Sequence, residues 1–231
     1  MTEAPGKSGG VAGEAPADSG RLPRLPAGRH GLSREFVVQN QRERIITALA
    51  DTVAERGYSA TAIAQITKAA GVSRATFYEH FPDKEACFLA AYEMATDHIV
   101  SSMRAAASSF GEWPQKVRAA LASLLGFLAA EPELARLVLI ESIAAGGEVA
   151  DRHNETMESL AEILRTGRPA AGDERLPEAT DEALVGGIVS LIVREIEAGH
   201  TEQLKRLLPD LVELTLAPYL GPDEAARLAG Q

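Results

Sequence analysis

Apolar residues recur at helical spacing along most of the chain from Ser33 onward. The first such stretch contains Val38, Ile45, Ile46, Leu49 and Val53. Intervals of three and four residues place these side chains on one face of an α-helix. Gly57 follows where helices commonly end in a left-handed conformation. The pattern therefore predicts a helix that ends at Arg56.

Two short helices and one long helix are predicted next. Thr61 can cap the first short helix, because its hydroxyl can accept a hydrogen bond from a free backbone N–H group. Gly71 ends this helix, and Ser73 can cap the second one. Asp83 can cap a long helix that extends towards Ser109.

The rest of the chain shows the same periodicity, interrupted by glycine and proline. Predicted helices cover residues 113–130, 132–146, 149–167, 180–199, 201–208 and 210–218. No stretch of useful length alternates between apolar and polar residues, so we expect no β-sheet. The pattern predicts an all-α fold.

Residues 1–32 are rich in glycine, proline, alanine and serine and nearly lack large apolar side chains. Such a segment buries too little surface to offset the entropy of ordering, so we expect a flexible tail. Its second half forms a basic arm of Arg21, Arg24, Arg29 and His30. An arm of this kind can lie in the minor groove beside a DNA-binding domain. A tail that only raises solubility is the alternative.

The net charge of −10 is unevenly distributed. Residues 21–85 contain ten lysines and arginines but only seven acidic residues, whereas the residues after 85 are strongly acidic. A local basic surplus is what binding to a polyanion requires. The overall acidity therefore does not exclude a nucleic-acid partner.

Motifs for catalysis or metal binding are missing. Cys87 is the only cysteine, so neither an intrachain disulfide nor a metal site made of cysteines can form. There is no GxSxG, HExxH, phosphate-loop or dinucleotide glycine pattern. We expect no catalytic residues, no metal and no cofactor. No apolar run approaches the roughly 20 residues of a membrane span, and no secretory signal is visible, so a cytoplasmic location without membrane contact is predicted.

The most informative segment is TAIAQITKAAGVSRATFYEHFPDKE, residues 61–85. Two short helices joined by a glycine-containing turn form a helix-turn-helix. Val72 and Phe77 are expected to face inward. The outward face of the second helix then carries Arg74, Ala75 and Thr76. An arginine can bind guanine O6 and N7, and a threonine can contact the methyl group of thymine.

Phosphate contacts are expected at the two ends of this motif. Tyr78, His80 and Lys84 form a polar group where the DNA backbone would pass. Thr61 and Lys84 also stand at predicted helix N-termini, where free N–H groups attract phosphate. Each of these side chains also has a purely structural alternative, as a helix cap or a packing residue.

The order of short motifs resembles the N-terminal signature of the TetR family of regulators. The matching elements are AERGY (54–58), Thr61, Ile66, AGVS (70–73), TFYEHF (76–81) and DKE (83–85). The resemblance implies a three-helix DNA-binding head, an all-α ligand-binding body, a homodimer formed by the last two long helices, and release of DNA when ligand binds. Ala62, Thr67 and Ala75 depart from residues common in the family, which leaves the preferred bases open.

The resemblance also implies roles for individual residues. Thr61 and Lys84 would contact phosphates, Arg74 and Thr76 would read bases, and Tyr78 and His80 would hold the backbone. The predicted DNA-binding residues are Thr61, Ser73, Arg74, Ala75, Thr76, Tyr78, His80 and Lys84. The predicted divisions are a flexible tail with the basic arm (1–32), a DNA-binding domain (33–85), a ligand-binding and dimerisation domain (86–220) and a C-terminal tail (221–231).

The body has to be interpreted from its pattern alone. Apolar stripes in 180–218 can form a dimer interface, which we favour because one head alone reads few base pairs, or an ordinary core. Large or polar side chains in 86–178 can line a pocket or fill the core. The candidate ligand contacts are Tyr92, His98, Met103, Trp113, Phe127, Glu141 and His153.

The sequence thus predicts a one-component transcriptional repressor. It would bind double-stranded operator DNA as a homodimer, associate with the nucleoid in the cytoplasm and respond to an unidentified small molecule. An interaction adaptor that retains the fold without binding DNA, an activator and an enzyme are the alternatives.

Overall fold

The computed structural model describes residues 34–167 and 176–230, and every regular element within these ranges is helical. The all-α prediction is therefore confirmed. Three N-terminal helices, which we call the head, are α1 (Arg34–Arg56), α2 (Ile63–Ala70) and α3 (Arg74–His80). The predicted tail and basic arm, residues 1–32, lie outside the described residues.

The remaining helices, which we call the body, pack onto the head. They are α4 (Lys84–Ser108), α5 (Trp113–Ala130), α6 (Pro132–Arg136), a π-helical turn (Leu137–Glu141), α7 (Ser142–Ala145), α8 (Gly147–Gly167), α9 (Thr180–Glu197), a 3₁₀ turn (Thr201–Leu207), α10 (Leu208–Leu220) and α11 (Pro222–Ala229).

The helix caps of the head explain where its elements begin. Ser73 accepts a hydrogen bond from the Thr76 N–H at 2.9 Å, as predicted, and Gly71 adopts the expected left-handed conformation at φ 64°. The prediction that Thr61 caps α2 is wrong. The cap position is Ala62, whose N–H donates to the Gln65 side chain at 2.7 Å.

Three other elements differ from the sequence pattern. The predicted helix 132–146 is divided by the π-helical turn, and the predicted helix 201–208 is a 3₁₀ turn. The predicted tail 221–231 contains α11, which begins with Pro222 and packs against α10 through the buried Ala225 and Ala229. Because alanines are the only residues that this helix buries deeply, it lacks the stripe of large apolar residues that reveals a surface helix.

One continuous apolar core joins head and body. In the head, Ile45, Leu49, Ile66 and Phe77 are fully buried. Phe88 of α4 is equally buried and contacts Tyr58 edge to face, with ring centroids 5.1 Å apart. The first turns of α4 are thus part of the head's core, and a displacement of α4 must move the head.

Candidate nucleic-acid interface and ligand cavity

The second helix of the helix-turn-helix presents a polar face above a buried anchor. Phe77 is completely buried, whereas Arg74, Ala75 and Tyr78 are exposed. Thr76 is half-buried, and its hydroxyl lies 2.9 Å from the Ser73 hydroxyl. Burial of Phe77 contributes about 3 kcal/mol and fixes the rotation of α3, so these groups point together into solvent.

Arg74 and Tyr78 form a pair one helical turn apart. The guanidinium donates to the Tyr78 hydroxyl at 3.3 Å, and its carbon lies 5.6 Å from the centroid of the tyrosine ring. This contact limits the conformations of a long, exposed arginine. A side chain whose conformations are already restricted loses less conformational entropy when it binds a partner.

Thr61 and Lys84, the predicted phosphate contacts, hold the loop between α1 and α2 in this conformation. The Lys84 ammonium donates to the carbonyls of Tyr58 at 2.8 Å and Thr61 at 3.0 Å, and lies 3.9 Å from the Tyr58 ring centroid. Partial burial lowers the pKa of Lys84. Thr61 is buried, and its hydroxyl donates to the Gly57 carbonyl at 2.8 Å. Only Lys84 keeps a donor available for a phosphate.

His80 lies at the junction of α3 and α1. Its Nε2 is 3.4 Å from the Gln41 side-chain oxygen. Partial burial lowers the pKa of His80 below its usual 6.5, so the ring is neutral at pH 7. The neutral ring can contact the DNA backbone as a hydrogen-bond donor.

The sequence analysis did not identify Arg44 as a residue of the site. Its guanidinium donates to the carbonyl of Ala70, and to that of Gly71 at 3.4 Å. A cation at the C-terminus of α2 stabilises the free carbonyls there and fixes the turn that leads into α3. The only signal in the sequence was an arginine next to the apolar face of α1.

Glu141 connects the head to the body, and Glu85 connects the start of α4 to α8. Glu141, which is 6% exposed, accepts a hydrogen bond from the Tyr58 N–H at 2.8 Å and pairs with Arg136 at 3.3 Å. Glu85, next to Lys84 in α4, accepts from the Glu148 N–H at 3.1 Å. The loop after α1 is therefore held by Glu141 on one side and by Lys84 on the other.

A neutral polar cluster is buried between α4, α7 and α8. The Nδ1 of His153 lies 3.4 Å from the Tyr92 hydroxyl and 3.2 Å from the Ser142 hydroxyl. Burial lowers the pKa of His153 and raises the pKa of Tyr92, so neither is charged at pH 7. Their side chains hold α8 against α4.

A separate cavity of about 230 Å³ lies among α4, α5, α8, α9 and α10. Fourteen of its seventeen lining residues are apolar, among them Met103, Trp113 and Leu121. The others are Thr215 and two cations, Arg104 and Lys116, so no acidic residue lines it. Its composition, mostly apolar with a few polar groups, is typical of a small-molecule site.

Of the seven candidate ligand contacts, only Met103 and Trp113 line this cavity. The other five lie elsewhere in the structure. Glu141 lies at the head–body junction, Tyr92 and His153 form the buried cluster, and His98 is exposed with its ring 5.1 Å from that of Phe127. Their positions depend on helix packing, which the spacing of residues does not reveal.

Head and body together define a class: an all-α protein with a helix-turn-helix on three N-terminal helices and a cavity in its helical body. Residues 45–91 match the sequence model of the bacterial regulatory proteins of the tetR family. This segment of the chain carries the tetR-family sequence, and the resemblance seen in its short motifs is confirmed.

Characterised relatives are similar to this chain over part of their length. The transcriptional activator FasR of Mycolicibacterium smegmatis is 27% identical over 139 residues, which cover 60% of this chain and 64% of FasR. The nucleoid occlusion factor SlmA of Vibrio cholerae is 29% identical over 166 residues, covering 67% of this chain and 85% of SlmA. The alignment with FasR thus spans less than two thirds of that protein.

Solved structures show the same fold. The fatty acid degradation regulator FadR of Bacillus halodurans superposes with a TM-score of 0.67 at 22% identity, covering 76% of this chain and 94% of FadR. FadR of Bacillus subtilis in complex with stearoyl-CoA gives 0.65 at 21% identity, covering 78% and 98%. Across 34–167 and 176–230, no helix is long and apolar enough to cross a membrane.

Proposed function

We propose that this chain is a one-component transcriptional regulator that binds operator DNA through α3 and is controlled by a small molecule bound in the cavity. The observation that carries the proposal is the exposed face of α3, with its Arg74–Tyr78 pair above the buried Phe77. The match of residues 45–91 to a family of regulatory proteins supports it.

In the proposed complex α3 lies in the major groove. Arg74 binds a guanine edge, and Ala75 and Thr76 contact neighbouring bases, with Ser73 at the start of the helix. One bidentate arginine–guanine contact contributes about 1–3 kcal/mol of discrimination. Tyr78, His80 and Lys84 hold the phosphates, together with Thr61 if the loop rearranges on binding.

The same proposal requires a homodimer, for which α9 and α10 offer a surface. Ala183, Gly186 and Ser190 share one exposed face of α9, and a Cβ at Gly186 would meet no atom within 4 Å. On α10, Leu214 is 38% exposed next to this face. Small residues allow a second copy to approach closely, and a dimer places two recognition helices about 34–36 Å apart.

Control by ligand follows from the position of α4. This helix of 25 residues is about 37 Å long, with Lys84 and the head at one end and the cavity-lining Arg104 towards the other. A ligand that favours a different position of α4 shifts the population away from the DNA-binding state. Lys84 at the start of α4 and Glu141 of the body both bond the loop after α1, and they couple this movement to the head.

We propose repression as the outcome, with an operator that overlaps the promoter. FasR is an activator, so the direction of control is tested with a reporter gene under the chain's own upstream region. SlmA, a nucleoid occlusion factor, supports the second candidate, a factor whose role is not the control of transcription. In that case reporter expression would not respond to deletion of the gene.

Selection of bound duplexes from random sequence tests DNA recognition itself. We expect enrichment of an inverted repeat whose half-sites are about one helical turn apart, because a two-fold symmetric dimer reads a palindrome. Failure to enrich any motif, with folded protein, would contradict the proposal and favour an adaptor that does not read DNA.

A further inference from the structure

The cavity's lining points to one class of ligand, an inference that rests on the proposed role of this cavity as the effector site. We propose that the effector is an amphipathic anion, with a hydrocarbon chain in the cavity and a carboxylate or phosphate group bound by Arg104 and Lys116.

The interior of the cavity favours a hydrocarbon. Thr215 is the only lining residue with a side-chain hydroxyl, and this hydroxyl already donates to the Leu211 carbonyl at 2.7 Å. A polar ligand group placed there would lose its hydrogen bonds to water and find few replacements, at a cost of about 1–3 kcal/mol or more. A saturated hydrocarbon chain has no hydrogen bonds to water to lose when it enters the same place.

The rim of the cavity favours an anion. Arg104 and Lys116 are both exposed, and neither side chain forms a hydrogen bond or ion pair with any residue that the structure describes. Arg104 stands near the end of α4 and Lys116 in the first turn of α5, so both lie at the same end of this helix pair. Two unpaired cations with no acid among the lining residues form a site for a carboxylate or phosphate.

The adjacent surface restricts where the anionic group can go. A groove between α4 and α8 meets the cavity at Val100, Arg104 and Ile163. Besides the shared Arg104, the groove contains four acids (Asp97, Glu155, Glu158 and Glu162) and two arginines, Arg152 and Arg165, which pair with Glu155 and Glu162. Because both of these arginines are already paired with acids, the groove lining offers an anion no free cation beyond Arg104, and the head group is held at the end near Lys116.

The cavity also contains its own reporter. Trp113 is the only tryptophan of the chain and lines the cavity, so its fluorescence reports occupancy without any DNA. The purified full chain is titrated with dodecanoate, dodecyl phosphate, dodecanol and dodecyltrimethylammonium, each below its micelle concentration. Comparison of dodecanoate with dodecyl phosphate shows whether the site prefers a carboxylate or a phosphate head group.

We expect saturable binding of at least one of the two anions, with dodecanol at least tenfold weaker and the cation weaker still. Arg104→Gln and Lys116→Gln should each weaken binding of the anion about tenfold and leave binding of dodecanol unchanged. Lys205→Gln removes an exposed cation that does not line the cavity and should change nothing. Ala120→Phe places a large ring in the cavity lining and should weaken the binding of all four dodecyl compounds.

Three results would overturn the proposal. These are dodecanol binding as tightly as both anions, anion binding that is unchanged in both glutamine variants, and dodecanoate binding that is unchanged in Ala120→Phe. Because DNA is absent from the assay, a chain that does not bind DNA would fail the selection experiment and still pass this one.

Discussion

Replacing Glu141 with alanine should destabilise the protein by about 1–4 kcal/mol. The buried carboxylate accepts the Tyr58 N–H at 2.8 Å. Removing it leaves a partly buried donor without a partner, which costs about 1–3 kcal/mol. The ion pair with Arg136 adds at most about 1 kcal/mol, because that side chain is 37% exposed and its charge is screened by solvent.

The assay is equilibrium unfolding in urea, followed by far-ultraviolet circular dichroism. Glu141→Ala should lower the transition midpoint without a change in slope. Glu141→Gln keeps an acceptor for the Tyr58 N–H and should recover at least half of the loss. Glu158→Ala removes an exposed glutamate from the middle of α8 and serves as the matched control, with an effect of about 0.5 kcal/mol or less.

A loss below about 0.5 kcal/mol in Glu141→Ala would refute this reasoning. It would mean that water or a shift of the loop satisfies the Tyr58 N–H at little cost. The packing of α1 against α4 and α6 would then carry the coupling between head and body, and the role assigned to Glu141 in transmitting ligand binding would have to be abandoned.

Three further predictions concern the anchor of α3, the buried cluster and the dimer surface. Phe77→Ala should cost about 3–5 kcal/mol in urea unfolding, because it removes a fully buried ring; a loss below 1 kcal/mol would contradict the packing. Burial lowers the pKa of His153, so below about pH 6.5 the unfolded chain binds more protons than the folded chain. The free energy of unfolding should therefore fall as the pH is lowered through this range. Urea unfolding at several pH values should show a smaller fall in His153→Asn. Gly186→Glu should convert a dimer into a folded monomer in light scattering, because a Cβ there meets no atom within 4 Å of its own chain and the carboxylate would be buried between two copies. An unchanged mass would exclude this face.

The helix-turn-helix could be predicted because its signals are local. Gly71 supplies a left-handed turn, Ser73 caps the next helix, and Phe77 faces inward one turn later. Each feature depends on residues within four positions of one another. The cap of α2 was misplaced by one residue, because Thr61 donates its hydroxyl to the Gly57 carbonyl instead of capping.

The cavity could not be predicted in the same way. Its lining comes from five helices, and membership depends on which face of each helix turns inward. A polar residue in an apolar stripe, such as Glu141 or His153, has the same appearance in the sequence whether it meets a ligand or a backbone group. Arg104 and Lys116 were missed because exposed cations on helices are common and only packing shows that these two flank a cavity.

Binding of α3 to DNA is tested most directly by fluorescence anisotropy with a duplex from the chain's own upstream region or from the selection. Wild type, Arg74→Ala and the distant control Arg206→Ala are compared across a salt series. We expect specific binding that weakens as salt rises and falls about 5- to 150-fold in Arg74→Ala, the equivalent of 1–3 kcal/mol, but not in the control. Equal affinity and sequence preference in wild type and Arg74→Ala would contradict the account.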